Sequence, residues 1–313
     1  MSSYLLRLIF RHSLLLLAIC AVGVVGAQTV TFHFNPPDGV SYLETTRHTT
    51  TEKRGDAAPD VEVVEIKTRV VMHKTPTGYT MVSTPITRTH LRNGHPQHSP
   101  SDVLWPKLIL TYTLDAHGSA TMIRGYDALP KLVRTLYPAE KARALLAATN
   151  TRALETRELA AWNLHLREFE GRSAPIGGGW TVDILAPLPS GLEAPARVTA
   201  HFVERTLHEG VSCVRIKLTQ VGDPATLTAS MNADMRNGVT PRQSAELPRV
   251  ARLTVIGTGE RLIDPGTLLL HQCTTTHTTT MQLLVPHRGT VTVVTVEKQE
   301  SSYRFAQGAH AAK

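Results

Sequence analysis

The chain has 313 residues, with 33 lysines and arginines against 26 aspartates and glutamates, a net charge of +7, and 42% hydrophobic residues. That length suffices for one large core or two smaller ones. Basic and acidic side chains are interleaved and no block of five basic residues occurs, which argues against nucleic-acid binding, because that function needs a contiguous cationic face.

Residues 1–27 read as a cleavable export signal. Arg7 and Arg11 supply the positive start, residues 13–25 an uncharged apolar run, and Val25, Gly26 and Ala27 a small-residue cleavage site before Gln28. The apolar stretch of about 15 residues is shorter than the roughly 20 that a spanning helix needs. A retained signal is the alternative, with membrane contact otherwise transient. Ile19 stands before Cys20 where bacterial lipidation sites carry Gly, Ala or Ser, so cleavage at Ala27 is preferred over lipidation at Cys20. The expected location is the periplasm, the cell envelope or the outside of the cell. Cleavage leaves 31 basic and 26 acidic residues and two cysteines, Cys213 and Cys273. An even count in an oxidising compartment permits one disulfide, with two packed thiols as the alternative.

Threonine runs such as Thr49-Thr50-Thr51 and Thr274-Thr275-Thr276 mark a β-dominated chain, because branching at Cβ favours the pleated sheet surface. In residues 61–73 one face carries Val64, Ile66, Thr68, Val70 and Met72, and the other Glu65, Lys67, Arg69 and His73. This is the alternation of an antiparallel strand with one wet face. Similar strands are predicted near 40–54, 78–90, 107–114 and 119–124, then near 197–206, 211–221, 249–262, 267–284 and 290–298. Strands this long favour a strongly curved sheet, a half-barrel or open barrel, over a flat sandwich.

Between these groups, residues 127–170 are rich in Ala, Leu, Arg and Glu and predict helices. Pro138 suits a first helical position, and Asn150 or Thr151 a cap for a second helix through Ala160 and Trp162. Arg143, Arg152, Arg157 and Arg167, mixed with Glu140, Glu155, Glu158 and Glu168, read as the wet side of an amphipathic pair. The two strand groups look like a degenerate duplication. Gly78 and Gly210 each open a strand, and hairpins follow at 114–119 and 263–267, where Asp115 and Asp264 are expected to bond the turn and Gly118 and Gly266 to take positive φ. The predicted division is a signal peptide at 1–27, a first β half at 28–126, a helical insertion at 127–172, a second β half at 173–300 and a flexible tail at 301–313. The fold class is α+β, with long curved antiparallel sheets, half-barrel-like and duplicated, covered by the helices.

This order of a signal peptide, a β half with its Asp-x-x-Gly hairpin, a helical insertion, the segment Pro175, Gly177, Gly178, Gly179 and Trp180, and a second β half resembles an uncharacterised family of exported bacterial proteins, a domain of unknown function. The family is similar in outline to the half-barrel lipoprotein carriers of the cell envelope. The resemblance spans residues 40–300 and implies a fold and a compartment, without a reaction.

Candidate chemistry is sparse. His90, His95 and His98 share a proline-stiffened loop and form a weak metal-site candidate, lacking a nearby cysteine or clustered carboxylate. His271 and His277 share a strand face with Cys273 and Thr275, read as a half-solvated face, with a polar lumen patch as the alternative. No Gly-x-Ser-x-Gly, Ser-x-x-Lys or His-Glu-x-x-His motif occurs, since His208-Glu209 is followed by Gly, Val and Ser. Gly177–Trp180 lacks the Lys-Ser/Thr of a phosphate loop and reads as a bend before a strand, with Trp180 as its anchor; Trp105 and Trp162 read as core. The expectation is a non-catalytic exported envelope protein without a cofactor that binds a hydrophobic ligand or a partner polypeptide. An interaction domain without a cavity and an exported hydrolase with a dispersed site are the alternatives.

Overall fold

The computed structural model describes residues 29–187, 193–236 and 247–306. The first strand group forms β2 (Ser41–Arg54), β3 (Asp60–Thr75), β4 (Gly78–Arg92), the short β5 (His95–Pro96), β6 (Leu110–Asp115) and β7 (Ala120–Arg124). The second forms β9 (Gly179–Pro187), β10 (Glu193–His208), β11 (Val211–Gly222), β12 (Arg249–Ile263), β13 (Leu270–Val285) and β14 (Gly289–Phe305). All belong to one 12-stranded sheet in the order β7-β6-β4-β3-β2-β14-β13-β12-β11-β10-β9, with β5 attached to β4. Each group is an antiparallel meander, and the last strand of the second lies beside the first strand of the first, with Tyr303 opposite Glu44 and Phe305 opposite Tyr42. The sheet is therefore open, with β7 and β9 as its ends. A separate two-stranded strap pairs β1 (Thr29–Thr31) with β8 (Ser173–Pro175).

Between β7 and β8 lie α2 (Leu129–Leu136), α3 (Ala139–Ala147) and the 19-residue α4 (Thr151–Phe169). A short α1 (Pro100–Leu104) precedes β6, and α5 (Pro224–Arg236) follows β11. Pro138 is the cap residue before α3, and the Asn150 side chain caps α4 by accepting from the Ala153 amide at 3.1 Å.

The placement of α4 requires the sheet to curl. Asn163 exchanges two hydrogen bonds with the backbone of Ala120 on β7, at 2.7 and 3.0 Å, acting as a substitute strand along that free edge. Trp162 donates to the Gly118 carbonyl at 2.8 Å, and Trp180 on β9 donates to the Glu168 carbonyl at 2.7 Å. Residues 163 and 168 are separated by about 7.5 Å of helix rise. A flat sheet would set β7 and β9 about 48 Å apart over ten strand spacings. One helix touching both end strands brings the two ends of the sheet toward each other and covers its inner face.

The strap fixes the C-terminal end of α4. Phe32, Phe169 and Trp180 form an aromatic triad with centroid separations of 5.3 to 5.9 Å, and Phe32 and Phe169 are fully buried. A second, smaller core packs Leu227 and Met231 of α5 on Val250, Leu253 and Val255 of β12.

Four expectations are corrected. Residues 301–305 are not a tail: β14 continues through them, and Tyr303 and Phe305 pack on Tyr42 with centroids 5.7 and 5.3 Å apart. In the 114–119 hairpin Gly118 has φ +84 and Asp115 bonds the turn amides, but in the 263–267 turn the positive φ falls on Leu268, at 57°, and not on Gly266. The helix α5 and the strap replace stretches without a predicted element. Finally, Cys213 and Cys273 are both free and buried. They lie on β11 and β13 with β12 between them, and Cys273 faces Arg261 while Cys213 lies beyond the Val214–Ile263 pair. Two strand spacings, about 9.5 Å, exceed the Cα separation of about 7 Å that a disulfide tolerates. Burial, reinforced by Asp264, pushes the Cys213 thiol up to about 12. A thiol titration of unfolded, unreduced protein is expected to find both cysteines reactive, in addition to Cys20 where the signal is retained; loss of these two thiols would contradict the strand order.

Candidate functional site: an inner groove divided by helix α4

Alternation along the strands decides what the groove contains. Even-numbered residues of β2 and β3 and odd-numbered residues of β12, β13 and β14 point to the inner face, and α4 runs over them with Glu158, Ala161, His165 and Glu168 on its underside. The helix divides the groove into two cavities.

The first, of 380 Å³, lies between α4 and β2–β4. Its walls combine aliphatic side chains such as Val70, Met72 and Met81 with aromatic ones, including Trp105, Tyr112 and Trp162. Among the described residues, its acidic side chains are Glu44 and Glu158, its imidazoles are His48 and His165, and no lysine or arginine lines it. Glu158 accepts the Tyr112 hydroxyl at 2.7 Å. Burial raises the Glu44 carboxyl above the usual range; hydrogen bonds from Thr46 and Tyr303 oppose this, and the charge of Glu158 adds to it. Burial also raises the phenols of Tyr42 and Tyr112, and Glu44 and Glu158 respectively add to those shifts.

The second cavity, of 530 Å³, lies between α4 and β10–β14 and is more polar, with Arg157, Glu168, Arg261, His277 and Glu297 in its lining. Gly257 and Gly259 keep its floor open: a Cβ at Gly257 would lie 2.6 Å from the His277 ring, which approaches Gln220 at 3.3 Å.

A buried polar cluster separates the two cavities. Arg261 of β12 donates through Nη1 to Glu168 and, at 2.9 Å, to Nδ1 of His165. Its guanidinium carbon sits 5.2 Å from the centre of the Phe169 ring. Burial opposes the charge on Arg261, but Glu168 beside it keeps it protonated. Because Arg261 only donates, Nδ1 of His165 accepts, and its proton resides on Nε2, toward the Leu268 backbone. Burial, with Arg261 second, holds the His165 imidazole down to about 3. The imidazoles of His48 and His277 are also lowered by burial.

These shifts set an acid dependence. A histidine with a folded pKa below its unfolded value of about 6.5 stabilises the fold fully above that pH, and the contribution is lost as pH falls toward the folded pKa. Glu44 has the opposite sign, since its raised carboxyl favours the fold at low pH. Three imidazoles against one carboxyl predict that stability falls between pH 6.5 and 5, each imidazole contributing up to about 1.4 kcal/mol per pH unit. Urea unfolding at several pH values checks this, and His165→Gln is expected to flatten the slope; a profile that rises on acidification would contradict it.

The structure places the sequence candidates as follows. His90 approaches Glu62 at 2.7 Å and Asp102 at 3.8 Å, whereas His95 and His98 are exposed. Among the described residues no group of three or more His, Cys, Asp or Glu side chains is arranged to hold a metal ion. His271 and Cys273 are buried, and Thr275 and His277 line the second cavity, so this face is the lumen patch and not a solvated strand face. Glu158 and Glu168, read as wet, point inward, and Trp105 and Trp162 line the first cavity. Their signal was the spacing of Glu158, Ala161, His165 and Glu168, three, seven and ten residues along one helical face.

No family model matches the chain, and no curated protein matches it. Among solved structures, a lipovitellin structure on lipid–protein interactions aligns with 86% of this chain at 10% identity and a TM-score of 0.42; the match spans only 26% of the lipovitellin chain. A Bacteroides fragilis protein of YmcC-like fold, described as exported, aligns over 88% of this chain and 100% of its own, at 11% identity and a TM-score of 0.23. DynF from the dynemicin pathway of Micromonospora chersina aligns over 89% and 86%, at 10% identity and 0.18. Scores below 0.5 at such identities leave the chain's own geometry to carry the functional reading. Among the described residues no helix is long and apolar enough to cross a membrane.

Proposed function

We propose that this protein is a non-catalytic exported carrier of the cell envelope that holds a hydrophobic ligand under α4. The observation that carries the reading is the 380 Å³ cavity, bounded by one helix and the inner face of an open sheet, with aliphatic and aromatic side chains along much of its wall and a limited set of polar groups, Glu44 and Glu158 foremost, set among them. Small-molecule sites have this form and this range of volume. The curvature supports the reading further, since a curled sheet covered by one helix encloses the kind of interior in which β-barrels hold small ligands. The signal-like residues 1–27 supply the compartment. Fold likeness does not establish a role, so the test addresses the molecule directly. Native mass spectrometry after gentle purification is expected to show protein carrying an additional mass of lipid size, released by organic extraction. Protein free of such mass from several expression hosts would favour the alternative of an interaction domain.

A further inference from the structure

We infer that the first cavity selects an amphiphile with a cationic head, a long-chain amine or alkylammonium, over a fatty acid or a phosphate-headed lipid. The inference rests on the carrier reading and adds the chemistry of the head group. It starts from an asymmetry: among the described lining residues are Glu44 and Glu158 and no lysine or arginine, and the two histidines there, His48 and His165, are held toward their neutral form by burial. An anionic head entering there would meet two carboxyl groups in a low-dielectric site, where like charges repel far more strongly than in water. A cationic head would instead compensate them.

The walls supply the second element of ammonium recognition. Tyr42, Tyr112 and Tyr303 surround the carboxyl pair, with Trp105 and Trp162 in the same lining. Ring faces attract cations, most strongly where water is excluded, and aromatic cages are a general solution for quaternary ammonium groups. Glu44 is held by Thr46 and Tyr303 and Glu158 by Tyr112, so both carboxyl groups are positioned before a ligand arrives. The aliphatic wall of Val70, Met72 and Met81 is then left for the chain.

The protein's overall charge makes this choice testable. A net charge of +7 draws anionic amphiphiles to the surface, so non-specific binding would favour a fatty acid. Preference for the cation must therefore come from the cavity.

The test is calorimetric titration of the full protein with decyltrimethylammonium, 1-decanol and decanoate, each below its micelle concentration. The cation is expected to bind about tenfold tighter than decanol, with decanoate weakest. Glu44→Gln combined with Glu158→Gln is expected to abolish the preference, bringing the affinity for the cation down to that for decanol measured on the same variant. Decanoate binding as tightly as the cation would overturn the head-group assignment and leave the carrier reading standing, as would an undiminished cation preference in the double variant. Failure of all three probes to bind would remove the carrier reading and this inference with it. The three-probe comparison on the unmodified protein decides the matter even where the double variant does not fold.

Discussion

Replacing Arg261 with methionine is expected to destabilise the fold by about 3–5 kcal/mol, the range for removing one partner of a buried ion pair. Glu168 is 5% exposed, and its carboxylate would lose the guanidinium while remaining out of water. His165 would lose the donor that satisfies Nδ1. The loss comes from the stranded charge more than from the pair itself, because desolvating both ions offsets most of their attraction. Glu168→Met added to Arg261→Met is therefore expected to restore most of the stability. Urea unfolding of the two variants separates these contributions. A single substitution costing under about 1 kcal/mol would mean that Glu168 reaches solvent and that α4 does not seal this part of the groove.

Phe169→Ala is expected to cost about as much, roughly 3–5 kcal/mol, for a different reason. Its ring is fully buried between Phe32 and Trp180 and lies under Arg261. Truncation leaves a void where, among the described residues, the strap end, α4 and β9 meet through aromatic packing, and a rigid meander on each side limits collapse into it. Because Phe169 and Arg261 touch, their effects should not add, and a double-mutant cycle is expected to show coupling of about 0.5–3 kcal/mol. Additive effects would place the two residues in independent parts of the fold.

Much of this architecture was legible in the sequence for simple physical reasons. Period-two alternation, as in Ile66, Thr68, Val70 and Met72, reports directly on a strand with two unlike faces, and β2–β4 and β10–β13 fall near their predicted bounds. Asn150 marked the start of α4 because a capping side chain acts on its nearest neighbours. What stayed hidden depends on distant contacts. Glu158 and Glu168 carry the same charge as Glu140 and Glu155, and only Tyr112 and Arg261, brought in by the sheet, turn the first pair inward. The sequence Pro224–Arg236 has a weak apolar stripe, yet Leu227 and Met231 suffice once β12 offers Leu253 and Val255. The cysteine pair misled because strand membership is local information, whereas strand order is not. The cavity itself appears in no segment; it is the space left when one helix spans a curled sheet.

Ala161 provides the most direct test of that space. It lies exposed on the underside of α4 at the first cavity, so Ala161→Trp would fill the site while disturbing little packing. The measurement is binding of Nile red, an uncharged apolar dye, followed by its fluorescence, in wild type and in Ala161→Trp. Wild type is expected to bind the dye, and the variant to bind it about tenfold more weakly at unchanged thermal stability, because a buried apolar site that loses its volume loses its ligand. Equal binding by the two proteins would contradict the assignment of the cavity under α4 as the ligand site.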